Sequence, residues 1–185
     1  MTRIPRADAV RNRQHIVTVA RAAFADQGTG LPVREIAARA GLGAATVYRH
    51  FPAREDLIIA TLAEHVAECR AEMQAALADQ DAWRALSGTI RRFAAHQVKY
   101  RRLNEALFGS HTMTAAFTED YRAHAKALDQ LVERARDADA IRAGLTPGDV
   151  RVGLTAIASL GTLRPDTAAR SAPRLVNLLL AGMSA

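Results

Sequence analysis

Residues 44–50 read Ala-Ala-Thr-Val-Tyr-Arg-His and combine two small side chains with four that form hydrogen bonds. Ala44 and Ala45 let a backbone approach another surface closely. Thr46, Tyr48 and His50 can bond phosphate oxygens. Arg49 can set two parallel donors on a guanine edge or grip a phosphate, and Arg34 adds a cation eleven positions before Ala45. This is chemistry for holding a polyanion. The chemistry of turnover is missing: no glycine-rich phosphate loop occurs, and no Ser or Cys sits in a nucleophile motif. No catalytic residue, cofactor or enzyme activity is therefore expected. Glu64, His65, Glu68, Cys69 and Glu72 have metal-ligand spacing along a helix. One turn of a polar helix face produces the same letters, however, and no strong second cluster accompanies them, so no metal is expected. His96, His111 and His124 stand alone in the sequence and read as solvated or satisfied histidines.

The charge distribution agrees with a polyanion partner. Residues 1–54 hold nine arginines against Asp8, Asp26 and Glu35, whereas residues 55–185 are balanced, so the whole net charge of +6 belongs to the first third. A basic head on a neutral body suggests two parts with separate partners. Arg3, Arg6, Arg11 and Arg13 could form an arm along phosphates or in a minor groove, or a solvated basic tail. A chain of 185 residues, 49% hydrophobic, can bury a core without disulfides, and its single cysteine, Cys69, can form none internally. No apolar run is long enough to span a membrane, and the opening residues lack the apolar stretch of a secretory signal. A cytoplasmic protein without a membrane partner is expected.

Helices must position the candidate residues. Prolines fall at 5, 32, 52, 147, 165 and 173, leaving residues 53–146 free of them. That interval is rich in good helix formers, and no stretch alternates as a strand would. The sequence predicts an all-α protein. Helices are expected at about 7–27, 33–40, 44–50, 54–78, 82–101, 103–110, 114–138, 147–162 and 172–183. Pro32 is expected at the first position of its helix, and Asp81 as a cap.

Residues 33–51, VREIAARAGLGAATVYRHF, form a helix-turn-helix pattern. Ala37 suits the crossing point of two helices, and Gly41 suits a turn that goes left-handed. Ile36, Ala40, Leu42, Val47 and Phe51 clamp the pair onto the first helix. Ala44, Ala45, Thr46, Tyr48, Arg49 and His50 are then left to face outward from a helix that fits a major groove.

From Ile16 to Leu57 the chain resembles the DNA-binding domain of the TetR family of bacterial transcriptional regulators. The matching residues are Ile16, Ala20, Ala23, Phe24, Gly28, Val33, Ile36, Ala37, Ala40, Gly41, Thr46, Val47, Tyr48, His50, Phe51 and Leu57. Thr46-Val47-Tyr48-Arg49-His50-Phe51 is the most distinctive run, and AATVYRHFPAREDL with PRLVNLLLAGM resembles an actinobacterial group. The family often carries Ser at Gly43, Gly at Ala45 and Thr or Ser at Pro32. Those departures bear on single contacts and leave the motif intact.

The resemblance implies a homodimeric repressor on double-stranded operator DNA. It would have a three-helix head over 1–53 and a helical ligand-binding and dimerisation body over 54–185. It carries DNA contact onto Thr46, Tyr48 and His50 and phosphate contact onto Arg54. It also implies a cavity for a small effector. Trp83, Phe93, His96, Tyr100, Phe108, His111, Phe117 and Tyr121 could line it or simply pack. Leu154, Ile157, Gly161, Leu175, Leu178 and Leu179 belong to two closing helices that are more apolar than one core face needs. In the family such a pair forms a four-helix bundle with its copy; an intramolecular hairpin is the alternative. An architectural DNA-binding protein without inducer, or an enzyme using the central cavity, are the rival functions.

Overall fold

The protein, seen as a computed structural model, is described for residues 6–108 and 117–185, with only the backbone given for 6, 7 and 106–108. Among these residues the order is α1 (Arg6–Gln27), α2 (Val33–Arg39), α3 (Ala44–His50), α4 (Arg54–Ala78), α5 (Ala82–Lys99) and α6 (Arg101–Phe108). It continues with α7 (Thr118–Asp137), α8 (Pro147–Ser159), a short 3-10 turn (Leu160–Thr162) and α9 (Pro165–Met183). The fold is all-α; the one extended pairing among the described residues is the isolated bridge between Ile141 and Ser184. Packing divides the chain into two units. Of the described residues, one holds Arg6–Val66 and Arg102–Phe108; the other consists of Ala67–Arg101 and Phe117–Ala185. The packing thus divides within α4, beyond the 53/54 boundary at which the helix-turn-helix pattern ends.

In the first unit Ile16, Val17, Ala20, Ala23 and Phe24 put a fully buried stripe on α1. Gly28 ends that helix at φ +83, a conformation that a Cβ disfavours, and its N–H reaches the Phe24 carbonyl at 2.9 Å. Pro32 sits one place earlier than expected, at the N-cap of α2, with φ −63 and ψ 145. Its fixed φ suits that extended cap, and its missing N–H costs nothing there. Gly41, at φ +67, turns the chain between α2 and α3, and Leu42 N–H closes the turn onto the Ala37 carbonyl at 2.9 Å.

In the second unit α5, α7, α8 and α9 enclose a core around Leu86, Ile90, Leu131, Val132, Ile157 and Val176. Asp81 caps α5 as expected, accepting the Arg84 N–H at 2.8 Å. Thr146 and Asp149 form a reciprocal capping box on α8, with Pro147 in its first turn. The T-x-x-D pattern announces that device. The closing helix begins at Pro165 and not at 172, because Pro165 opens its first turn while Pro173 lies inside it. Pro173 is exposed, and the helix continues through a position that the sequence marks as a start.

Candidate nucleic-acid interface

The head's functional geometry follows from how little of α3 is buried. Val47 is the helix's one buried residue. Phe51, 2% exposed, anchors its end, and Arg13 lies over the Phe51 ring at 4.9 Å. Across the turn, Ile36 and Ala37 hold α2 in place, with Ala37 only 1% exposed. His15, on α1, approaches the Ala40 carbonyl at 3.1 Å and ties down the end of α2. Two helices, α1 and α2, therefore back α3, which turns one valine and one phenylalanine toward them.

The outer face is what remains. Ala45, Tyr48 and Arg49 are exposed, and Ala44, Thr46 and His50 are half-buried. Tyr48, at 49% exposure, is a large aromatic ring with no core to enter. Arg49 donates to Thr46 Oγ1 at 2.9 Å, which holds the guanidinium along the helix face. Arg34 is exposed on α2. Arg54 opens α4 half-buried, and its buried Nη2 has no hydrogen-bond partner among the described residues. The α4 entry is capped separately: Asp56 accepts the Ala53 N–H at 2.9 Å. The outward side chains thus gather on α3, with a guanidinium at the start of the next helix. No side chain caps Gly43, as expected where glycine replaces serine.

The remaining expected residues lie elsewhere. Tyr100 and Phe117 are buried, and Trp83, Phe93, His96 and Tyr121 are half-buried. Trp83 and Phe93 pack onto the core of the second unit, so core packing accounts for both. The Phe108 side chain and His111 lie outside the described residues. His96 is far from isolated. Its Nδ1 lies 3.4 Å from Cys69 Sγ, its Nε2 lies 3.3 Å from Glu72 Oε1, and its ring meets Tyr100 edge-on at 5.5 Å. Both polar partners come from another helix, which no spacing around residue 96 could announce. Glu64, from the same stretch as Cys69, bonds Gln14 instead.

On the closing helices, Leu178 and Val152 are 72% and 71% exposed. Leu154, Leu175 and Leu179 are half-buried against the core, and Gly161 is half-buried. Ile157 is fully buried within its own chain, so it supports this face from behind and does not present itself to a partner. A groove of about 190 Å³ opens here, lined by Ile90, Leu145, Val150, Gly153, Leu154, Leu178, Leu179 and Met183 among others. Sequence reasoning missed Leu145 and Met183, whose contribution depends on how α8 and α9 pack.

Comparison with known proteins agrees with this arrangement. Residues 16–61 match the model of bacterial regulatory proteins of the tetR family. Residues 81–185 match that of the SbtR-like transcriptional regulator C-terminal domain. A TetR regulatory protein from Mycobacterium vanbaalenii superposes with a TM-score of 0.74 at 29% identity, over 97% of this chain and 99% of that one. A TetR regulator from Streptomyces coelicolor gives 0.69 at 29% identity, over 93% and 98%. A transcriptional regulator from Saccharomonospora viridis, in complex with choline, shares the fold with a TM-score of 0.73 at 15% identity, over 95% and 99%. No curated protein sequence matches.

Proposed function

The chain belongs to the TetR family of bacterial transcriptional regulators, which bind DNA and are not enzymes, and on that premise we propose that it is a homodimeric repressor released from its operator by a small molecule. The observation that carries the reading is α3: one buried residue, Val47, behind an outward face of Ala45, Tyr48 and Arg49. Two copies read two half-sites of a near-palindromic operator in successive major grooves. Thr46, Tyr48 and His50 contact backbone or base edges, Arg49 reads a base or grips a phosphate, and the guanidinium of Arg54 contacts a phosphate at the start of α4. Arg34 contributes a further phosphate contact from α2.

Dimerisation uses the face of α8 and α9, where Leu178 and Val152 stand in solvent beside an apolar groove. An obligate interface of this kind buries more than about 2,000 Å² in total. The effector site belongs to the members of the aromatic group that core packing does not claim, His96, Tyr100, Phe117 and Tyr121. That a fold relative was crystallised with choline, and that another is described as a ketosteroid regulator, supports an organic effector. Among the described residues no helix is long and apolar enough to cross a membrane, which suits a cytoplasmic regulator.

A ligand releases DNA only if it binds the non-DNA geometry better, and a 100-fold loss of operator affinity takes about 2.7 kcal/mol of coupling. α4 contributes residues to both units and is the natural carrier. The test is a footprint on the DNA flanking the protein's own gene, repeated with candidate effectors. A sequence-selective footprint lost on adding one compound supports the repressor. A footprint without sequence selection means an architectural protein instead.

A further inference from the structure

The DNA contacts make no use of the chain's single thiol, yet side chains from two helices surround it. Cys69 lies on α4 and is half-buried. Its Sγ is 3.4 Å from Nδ1 of His96 on α5, and Nε2 of the same ring is 3.3 Å from Oε1 of Glu72, one turn further along α4. With its proton on Nε2 and donated to Glu72, the ring presents the Nδ1 lone pair to the thiol. A nucleophile, a base within reach and a carboxylate that orients the base form the arrangement that activates a weak nucleophile. A third helix closes the neighbourhood. The Tyr121 hydroxyl on α7 is buried, and its ionisation is pushed up to about 12, first by burial and then by the charges of Cys69 and Asp120. It stays protonated at neutral pH.

We infer that Cys69 is a covalent acceptor site for small soft carbon electrophiles, α,β-unsaturated carbonyl compounds and quinones, with His96 as its base and Glu72 as the positioning residue. The thiol proton passes to Nδ1 of His96. Sγ attacks the β-carbon, a C–S bond forms, and the C=C π pair moves to give an enolate. His96 then returns the proton to the α-carbon. The addition balances without an oxidant, and the product is a thioether on Cys69. The chemistry stands on this geometry alone. Its regulatory consequence rests on the effector-release reading above.

N-ethylmaleimide is a suitable probe, followed by intact mass on the full-length protein. Native Cys69 should react at least about tenfold faster at neutral pH than the same cysteine in the urea-unfolded chain, the low end of what a positioned base contributes. Burial alone gives the opposite order. His96→Gln should remove the acceleration, and Glu72→Gln should remove part of it, with helical content preserved in both. A native rate at or below the unfolded one overturns the site, and this comparison needs no variant. So does a full rate in a folded His96→Gln protein. Operator affinity of the adduct is a separate readout: an adduct that forms rapidly and leaves DNA binding unchanged overturns the release reading, not the reactive thiol.

Discussion

The head and the body use their exposed apolar and aromatic side chains for different ends, and the means of burial differ in step. In the head, α1, α2 and α3 commit most of their apolar residues to one small core. Val47 alone goes inward from α3, so Tyr48 at 49% exposure stands out as a residue kept on the surface for contact. The surrounding charge is arginine-rich. In the body, the helices bury stripes of their own and still have apolar residues left over on α8 and α9. Leu178 and Val152 are more exposed than Tyr48, beside a groove lined mainly by apolar side chains, with Arg142 and Asp149 among them. An exposed aromatic among arginines suits a wet polyanion, whereas exposed aliphatics beside a groove suit a dry partner. The comparison separates two interfaces, and each can be broken without touching the other.

The largest effect is expected on the body. Leu178→Glu sets a charge on a position 72% exposed in the single chain, so the subunit should keep its fold. In a dimer the same carboxylate would be buried without a partner, which costs several kcal/mol. Light scattering at micromolar concentration should report a monomer with unchanged helical content. Operator binding should fall by orders of magnitude, because a monomer holds only one half-site. A Leu178→Glu protein that remains a dimer removes this face from the interface.

A smaller effect is expected on the head. Tyr48→Ala and Arg49→Ala each remove an outward side chain, and Arg49 also loses its 2.9 Å bond to Thr46. Each should weaken operator binding by about 1–3 kcal/mol, with melting temperature and dimerisation intact. Gel-shift titration at matched salt separates their roles. A base contact by Arg49 relaxes selectivity at one base pair, and a phosphate contact lowers the salt slope. Unchanged affinity in both variants would mean that α3 does not face DNA.

The two regions also differ in how much of them the sequence discloses. The head is legible because its determinants are local. Ala37, Gly41 and Val47 fall within eleven residues, and each demands one particular environment. Helices α3 and α4 match their expected bounds, 44–50 and 54–78, because Gly43, Pro52 and Asp79 frame them. The body depends on pairings between distant residues. His96 reads as isolated until α4 brings Cys69 and Glu72 to its two nitrogens. Ile157 reads like Leu178, since a surplus of apolar residues does not say which turn the core takes. Pro173 reads as a helix start, yet Pro165 had already opened the helix. Sequence spacing ranks residues along one helix and is silent about the helix opposite.

The finest contrast is electrostatic and sits at the α4–α5 corner of the body. The Arg84 side chain donates to Asp79 through Nε at 2.8 Å, and the Asp81 N–H adds a second bond at 3.0 Å. These hold the Asp79 carboxyl at about 2, below its ordinary 3.8, with the Arg84 bond the larger cause. A carboxyl depressed in the folded state contributes stability above its unfolded value and loses it as the pH falls toward the folded one. The loss should run from about pH 4 to about pH 2. Arg84 is exposed and Asp79 half-buried at the surface, so solvent screens the pair and the contribution is small. Asp79→Asn should melt slightly below wild type at neutral pH, and the two should converge as the pH falls through that window. Melting curves recorded across it decide the matter. A gap that stays constant down to about pH 2 would mean that the aspartate's charge contributes nothing, and that the corner is held by the Asp81 cap and the Arg134 bond to the Leu77 carbonyl at 2.8 Å.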